Sequence, residues 1–137
     1  MNWARRITLA AAVTTAAVVG IAPTAQASQN IGWIYSEGGN GRGNFDADVS
    51  GRAGVEAISA CDVKTDGNSI WVALYKGTPS APRGIVAEVI DTQNNGDCIT
   101  TSGNFATDET NVFLQVCDRE GGTGRLFDCV LSPVVKA

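Results

Sequence analysis

The chain of 137 residues carries 10 lysines and arginines, 14 aspartates and glutamates, and no histidine. The net charge is negative and the basic residues are scattered along the chain. Both features argue against nucleic acid as a partner, because binding to phosphate backbones requires clustered basic side chains. The lack of histidine removes Ser-His-Asp and Cys-His catalysis and the commonest metal ligand. We therefore expect no enzymatic activity, no cofactor and no resident metal.

Residues 1–27 have the pattern of a secretory signal peptide. A basic start with Arg5 and Arg6 precedes an apolar run over 7–22, and the small residues Ala25 and Ala27 form a cleavage site. The apolar run is shorter than the roughly 20 residues of a membrane-spanning helix. We expect a secreted mature protein, 28–137, with no membrane contact after cleavage.

The mature part has the size of one domain. Without Arg5 and Arg6 it holds 8 basic and 14 acidic side chains, a net charge of −6. Such a charge favours a soluble monomer.

In chain order, alternating apolar residues predict short strands. The alternating sets are Ile31/Trp33/Tyr35, Phe45/Ala47/Val49, Val55/Ala57/Ser59/Cys61/Val63, Ile85/Ala87/Val89 and Val112/Leu114/Val116, and two further strands cover 70–75 and 126–131. The segment 70–75 is apolar on both faces, which favours a central position in a sheet.

Glycine, asparagine, aspartate and proline mark the connections between these strands. The Gly/Asn-rich run 38–43 and the segment 77–82 are predicted loops, the latter because two prolines in four residues disfavour ladder pairing. Turns are expected at 65–68, 93–97 and 120–124. Six or seven strands with such turns predict an all-β fold, a small antiparallel β-sandwich or a small barrel.

Four cysteines, Cys61, Cys98, Cys117 and Cys129, predict two disulfides in a secreted chain. Three pairings are possible. Cys117 and Cys129 lie at equal distance from Thr123, so they face each other if the chain folds back there, which leaves Cys61 with Cys98. A four-cysteine zinc site is the weaker interpretation, because its close C-x-x-C pairs are missing.

Trp71 and Tyr75 share one face of the predicted central strand with Ala73. If that face is exposed, the two aromatic side chains are candidate contacts for a sugar or a protein partner. The alternative is that they fill the core, which we favour for Trp71. Trp33 has a simpler interpretation, as an anchor for the N-terminal segment.

The segment 78–83, with two prolines and Arg83, resembles the stiff loop of a protease inhibitor. The alternative is an ordinary connection between two strands.

The segment beginning at Asp62 resembles an EF-hand loop, but Lys64 and Ala73 occupy positions that need oxygen ligands, so a turn is the better interpretation. A weak Ca²⁺ contact through Asp66, Asp91 or Asp97 stays open.

The run Cys61-Asp62-x-Lys64-x-Asp66-Gly67, followed by Cys98, Cys117 and Cys129 in order, resembles a group of small secreted actinobacterial proteins with no assigned activity. The resemblance implies a two-disulfide β fold and no particular function. The chain is also similar in size, acidity and disulfide number to the antitumour-antibiotic apoproteins, although their cysteine pairs lie closer in sequence.

These observations favour an exported, non-enzymatic binding module in the medium or at the cell wall. Its candidate contact residues are Trp71, Tyr75 and Arg83, and its partner is a cell-wall polymer, a secreted protein or a protease. The first alternative is a protease inhibitor that uses 78–83. The second is a small-ligand carrier with a pocket near Trp71 and Tyr75.

Overall fold

The computed structural model describes residues 27–137, so the predicted signal peptide lies outside the described residues except for Ala27. The described part contains nine strands and no helix. The strands are β1 Ile31–Tyr35, β2 Gly41–Asp46, β3 Glu56–Asp62, β4 Asn68–Thr78, β5 Ala81–Asp91, β6 Cys98–Gly103, β7 Asn111–Glu120, β8 Leu126–Leu131 and β9 Val135–Lys136.

All strand pairs are antiparallel and form two sheets. The four-stranded sheet has the order β1-β2-β3-β6, and the five-stranded sheet has the order β5-β4-β7-β8 with β9 beside β7. The predicted all-β sandwich is therefore confirmed. The two strands beyond the predicted number are β9 and the polar edge strand β6, whose sequence shows no apolar alternation.

The core lies between the sheets. Strands β4 and β7 supply it with alternate residues, as the sequence predicts, and β4 is central, between β5 and β7. The main fully buried side chains are Phe45, Ile58, Ile70, Val72, Leu74, Val112, Leu114 and Val116. Each such aliphatic or aromatic side chain contributes about 1.5–3 kcal/mol when it leaves water.

Strand β2 begins earlier than the alternation of Phe45, Ala47 and Val49 indicates. Its first residues are Gly41 and Gly43, from the run predicted to be a loop. A Cβ at Gly41 would lie 2.0 Å from Ile70 Cγ1, and one at Gly43 would lie 2.6 Å from Val72 Cγ2. Glycine is required here because the opposite sheet packs directly onto the β2 backbone.

Strand β3 uses the opposite face from the predicted one. Ile58 and Ala60 face the core, whereas Ala57 and Ser59, which belong to the predicted apolar face, lie on the outer side. The inner face does not appear apolar in the sequence, because the polar residues Glu56 and Asp62 lie on it at the two ends of the strand, where both are buried.

The prediction that 77–82 is an unpaired loop is wrong. Strands β4 and β5 form a hairpin that continues to its tip, where Gly77 pairs with Pro82 and Thr78 with Ala81. Pro82 is tolerated because β5 is the edge strand of its sheet. Gly77, with a φ of 96°, lies at a register shift that bends the hairpin.

Both predicted disulfides are present. Cys61 is bonded to Cys98 across β3 and β6, and Cys117 to Cys129 across β7 and β8. The two bridges indicate an extracellular or otherwise oxidising environment.

Candidate functional site

Trp71 lies on the outer face of the five-stranded sheet and not between the two sheets. It forms a second apolar cluster with Ala73 and Cys117, against which Tyr75 and Ile90 pack. Its side chain is only 5% exposed. The indole Nε1–H donates to Glu88 Oε2 at 3.1 Å. A ligand would therefore reach little of this ring.

Tyr75, the second predicted contact, is half-buried on the same face. Its ring stacks on Phe113, with centroids 5.0 Å apart and planes inclined by 7°. Burial, aided by the negative charge of Glu88, raises the pKa of the Tyr75 phenol, so it is neutral at physiological pH.

Arg83, the third predicted contact, is exposed in β5 close to the hairpin tip. Here it lines an open groove of about 500 Å³, together with residues of β4, β9 and the segment before β7. The groove lies next to Tyr75 along β4 and does not extend to Trp71. The three predicted contacts thus do not converge on one pocket.

A more accessible aromatic group lies on the outer face of the opposite, four-stranded sheet. Trp33 is 42% exposed and Tyr35 is 51% exposed. Both project from the edge strand β1, and Tyr35 is paired in register with Arg42 of β2. The Arg42 guanidinium carbon lies 4.5 Å from the centroid of the Trp33 ring and 6.0 Å from that of Tyr35.

We call Trp33, Tyr35 and Arg42 the aromatic platform. Arg42 Nη1 donates to the Tyr35 hydroxyl oxygen at 3.2 Å, and the guanidinium–indole contact holds the cation by attraction to the ring face. Arg42 Nε is buried and has no hydrogen-bond acceptor in the described part of the chain. The platform therefore combines two open rings with a fixed positive charge.

A polar strip continues from the platform across the same sheet face. In register, Asn44 lies beside Ser59, and Ser59 beside Thr100. The Ser59 and Thr100 hydroxyl oxygens are 2.8 Å apart. The Asn44, Ser59 and Thr100 side chains provide hydrogen-bond donors and acceptors on strands of the same sheet as the two rings.

Sequence reasoning placed Trp33 and Tyr35 on one strand but did not identify the platform. Their spacing of two residues indicates a shared face. Arg42 was missed, because its position beside the rings depends on the pairing of β1 with β2.

One end of the sandwich holds three buried carboxylates, Asp62, Asp91 and Asp118, each at most 1% exposed. Asp91 and Asp118 both lie opposite Ile70, on the core side of their strands. Asp91 accepts the Asp62 N–H at 2.8 Å, and Asp118 accepts the Asn40 side-chain amide at 2.5 Å. Within residues 27–137, Asp62 Oδ2 and Asp118 Oδ1 have no hydrogen-bond partner.

Burial raises the pKa of Asp62, and the charges of Asp66, Asp91 and Asp118 act in the same direction. Asp91 also accepts the Gln93 N–H at 2.9 Å, so both of its carboxylate oxygens accept hydrogen bonds from the backbone. In the described range, no group of three or more acidic, cysteine or histidine side chains is placed to hold a metal ion. The Ca²⁺ contact considered for Asp66, Asp91 or Asp97 has no such group to support it.

Searches of protein-family models, curated proteins and solved structures found no match to this chain. Residues 27–137 contain no helix able to span a membrane.

Proposed function

We propose that this chain is an exported, non-enzymatic binding module that holds a polysaccharide, such as a cell-wall polymer, on the outer face of its four-stranded sheet. The observation that carries this proposal is the aromatic platform, with two large rings about half exposed beside a guanidinium group. Aromatic side chains with an apolar ring and a polar tip are enriched at binding surfaces.

The chemistry of the face matches that of a sugar chain. The C–H groups of a pyranose ring carry partial positive charge and pack against the negative face of an indole or phenol. The sugar hydroxyls need donors and acceptors beside the rings, and Asn44, Ser59 and Thr100 provide both. A protein partner would favour a more continuous apolar patch at the centre of its interface.

The platform is anchored to paired strands. Tyr35 pairs with Arg42 of β2, Trp33 lies at a register shift of the same strand pair, and the Cys61–Cys98 bridge joins the neighbouring strands β3 and β6. Rigid side chains lose little conformational entropy on binding, which favours affinity.

The alternative role as a protease inhibitor depends on an exposed, extended loop over 78–83. This segment instead pairs across the β4–β5 hairpin up to Thr78 and Ala81, and Arg83 lies in the strand. We therefore rank inhibition below glycan binding. Inhibition assays against trypsin-like and subtilisin-like proteases, with Arg83→Ala as the control, test it.

The proposal is tested by co-sedimentation of the oxidised protein with purified peptidoglycan, chitin and cellulose. The wild type is expected to sediment with at least one of them. Trp33→Ala is expected to weaken binding about fivefold or more, as loss of a central aromatic contact does. Ile85→Ala is the matched control, because Ile85 is 47% exposed but lies in the other sheet. Binding to none of the three polymers, or equal loss in both variants, would contradict the proposal.

A further inference from the structure

The groove at the β4–β5 hairpin tip brings three positively charged side chains together in one cavity. Lys76, Arg83 and Lys136 all line it, although the mature chain has only eight basic side chains. The groove lies at the opposite end of the sandwich from Asp62, Asp91 and Asp118. Its volume of about 500 Å³ is within the range of small-ligand sites.

The three cations come from three separate elements that the fold holds in fixed positions. Lys76 is in β4, Arg83 in β5 and Lys136 in β9. Lys136 Nζ donates to the Glu109 carbonyl oxygen at 2.9 Å, which fixes its ammonium group at the rim.

The hairpin supplies one wall of the groove. Gly77 lies in the groove wall, and a Cβ there would come within 2.5 Å of the Ala81 carbonyl oxygen. The tip is braced by the Thr78 and Ser80 hydroxyl groups, whose oxygens are 3.1 Å apart. The Arg83 side chain is therefore presented from a stiff support, which lowers the entropy cost of binding.

We propose that this groove is a binding site for an anionic group with two or more negative charges, such as a phosphate or a polycarboxylate. A guanidinium group binds two oxygens of such an anion at once, and the two ammonium groups add charge from the other walls. The threonine hydroxyl of Thr78 and the amide of Asn111 are further donors in the lining. Glu109 also lines the groove and limits the affinity, because its charge opposes the ligand.

This proposal is independent of glycan binding, since it concerns the other end of the molecule and different residues. The anionic group belongs to a free small molecule or to a polymer such as a glycerol phosphate chain. The two sources share one chemistry, and the experiment separates them.

The test is a titration of the oxidised, ¹⁵N-labelled protein with sodium phosphate, citrate and a synthetic glycerol phosphate oligomer at constant ionic strength. Saturable amide shifts are expected at Gly77, Thr78 and Arg83. Saturation by phosphate or citrate identifies a small-anion site, and saturation by the oligomer alone identifies a polymer site. No saturable shift with any of the three would overturn the proposal.

Three variants check the assignment. The double change Lys76→Gln with Arg83→Gln is expected to weaken binding about tenfold or more, as loss of charge-assisted hydrogen bonds does. Glu109→Gln is expected to strengthen it about twofold. Arg125→Gln, which removes an exposed cation near Phe127 in the β7–β8 hairpin, is the charge-matched control and should leave affinity unchanged. Equal weakening by Arg125→Gln would show general charge attraction and refute the site.

Discussion

Replacing Asp62 by asparagine is expected to stabilise the folded protein at neutral pH by about 1 kcal/mol. The carboxylate is 1% exposed, and its Oδ2 atom has no partner within residues 27–137. Its Oδ1 atom accepts the Lys64 N–H at 3.0 Å, and an asparagine oxygen can keep that bond. The substitution therefore removes a buried charge without removing the turn that follows β3.

The sign follows from the pKa of Asp62. Burial, followed by repulsion from Asp66, Asp91 and Asp118, raises this pKa above its usual 3.8 and outweighs the hydrogen bond from Lys64. The folded protein then holds the proton to higher pH than the unfolded chain does. Asp62 costs no stability below pH 3.8, and the cost grows as the pH rises from 3.8 through the folded-state pKa.

The magnitude is limited to about 1 kcal/mol because the buried amide group of the asparagine must itself be satisfied by hydrogen bonds. In a domain of this size, 1 kcal/mol corresponds to a rise in Tm of about 4 °C.

The assay is urea unfolding of the oxidised protein at pH 7 and pH 3, followed by tryptophan fluorescence. Asp48→Asn is the control, because Asp48 is exposed and its charge is not among those that raise the pKa of Asp62. The gain for Asp62→Asn should be present at pH 7 and absent at pH 3. A gain of equal size at both values, or a loss at pH 7, would refute the reasoning.

Two further substitution series test the fold. Gly43→Ala is expected to lower the free energy of unfolding in urea by about 1–3 kcal/mol, because the added methyl group overlaps Val72. Gly32→Ala is the control and should be neutral, because no atom lies within 4 Å of its Cβ position. Equal effects of the two substitutions would contradict the close packing of the two sheets. Double alanine variants should lose about 4 kcal/mol for the Cys61–Cys98 bridge and about 3 kcal/mol for the Cys117–Cys129 bridge, since these close loops of 37 and 12 residues. An unchanged denaturation midpoint in either variant would show that the bridge is not a structural constraint.

The parts of the fold that the sequence predicts well depend on local pattern. The alternation of Val112, Leu114 and Val116 identifies one core face, and the two-sided apolar segment at 70–75 identifies the central strand. The turn at Glu120–Gly124 is enough to suggest the Cys117–Cys129 pairing. Each of these signals arises from residues close together in the chain.

The parts that the sequence does not predict depend on contacts between distant segments. Gly41 and Gly43 look like loop residues until the side chains of β4 are placed over them. Pro82 is compatible with a strand only because β5 is at a sheet edge. The core face of β3 contains Asp62, which is buried and whose backbone N–H donates to the Asp91 carboxylate of the opposite sheet, and a polar residue at such a position is not recognisable as buried from the sequence.

The same distinction applies to the candidate sites. Residue types and strand spacing place Trp33 with Tyr35, and Trp71 with Tyr75. Exposure separates the two pairs, since Trp33 is 42% exposed and Trp71 only 5%. That difference depends on which strands flank each ring, and a single sequence does not contain it.

The most direct measurement of the central claim is an NMR titration with a soluble oligosaccharide of the polymer that binds in the sedimentation assay. The account predicts shifts at the Trp33 indole N–H, the Arg42 Nε–H and the amides of Ser59 and Thr100. Shifts centred instead on Trp71 and Tyr75, or no shift at the Trp33 indole at saturation, would contradict it.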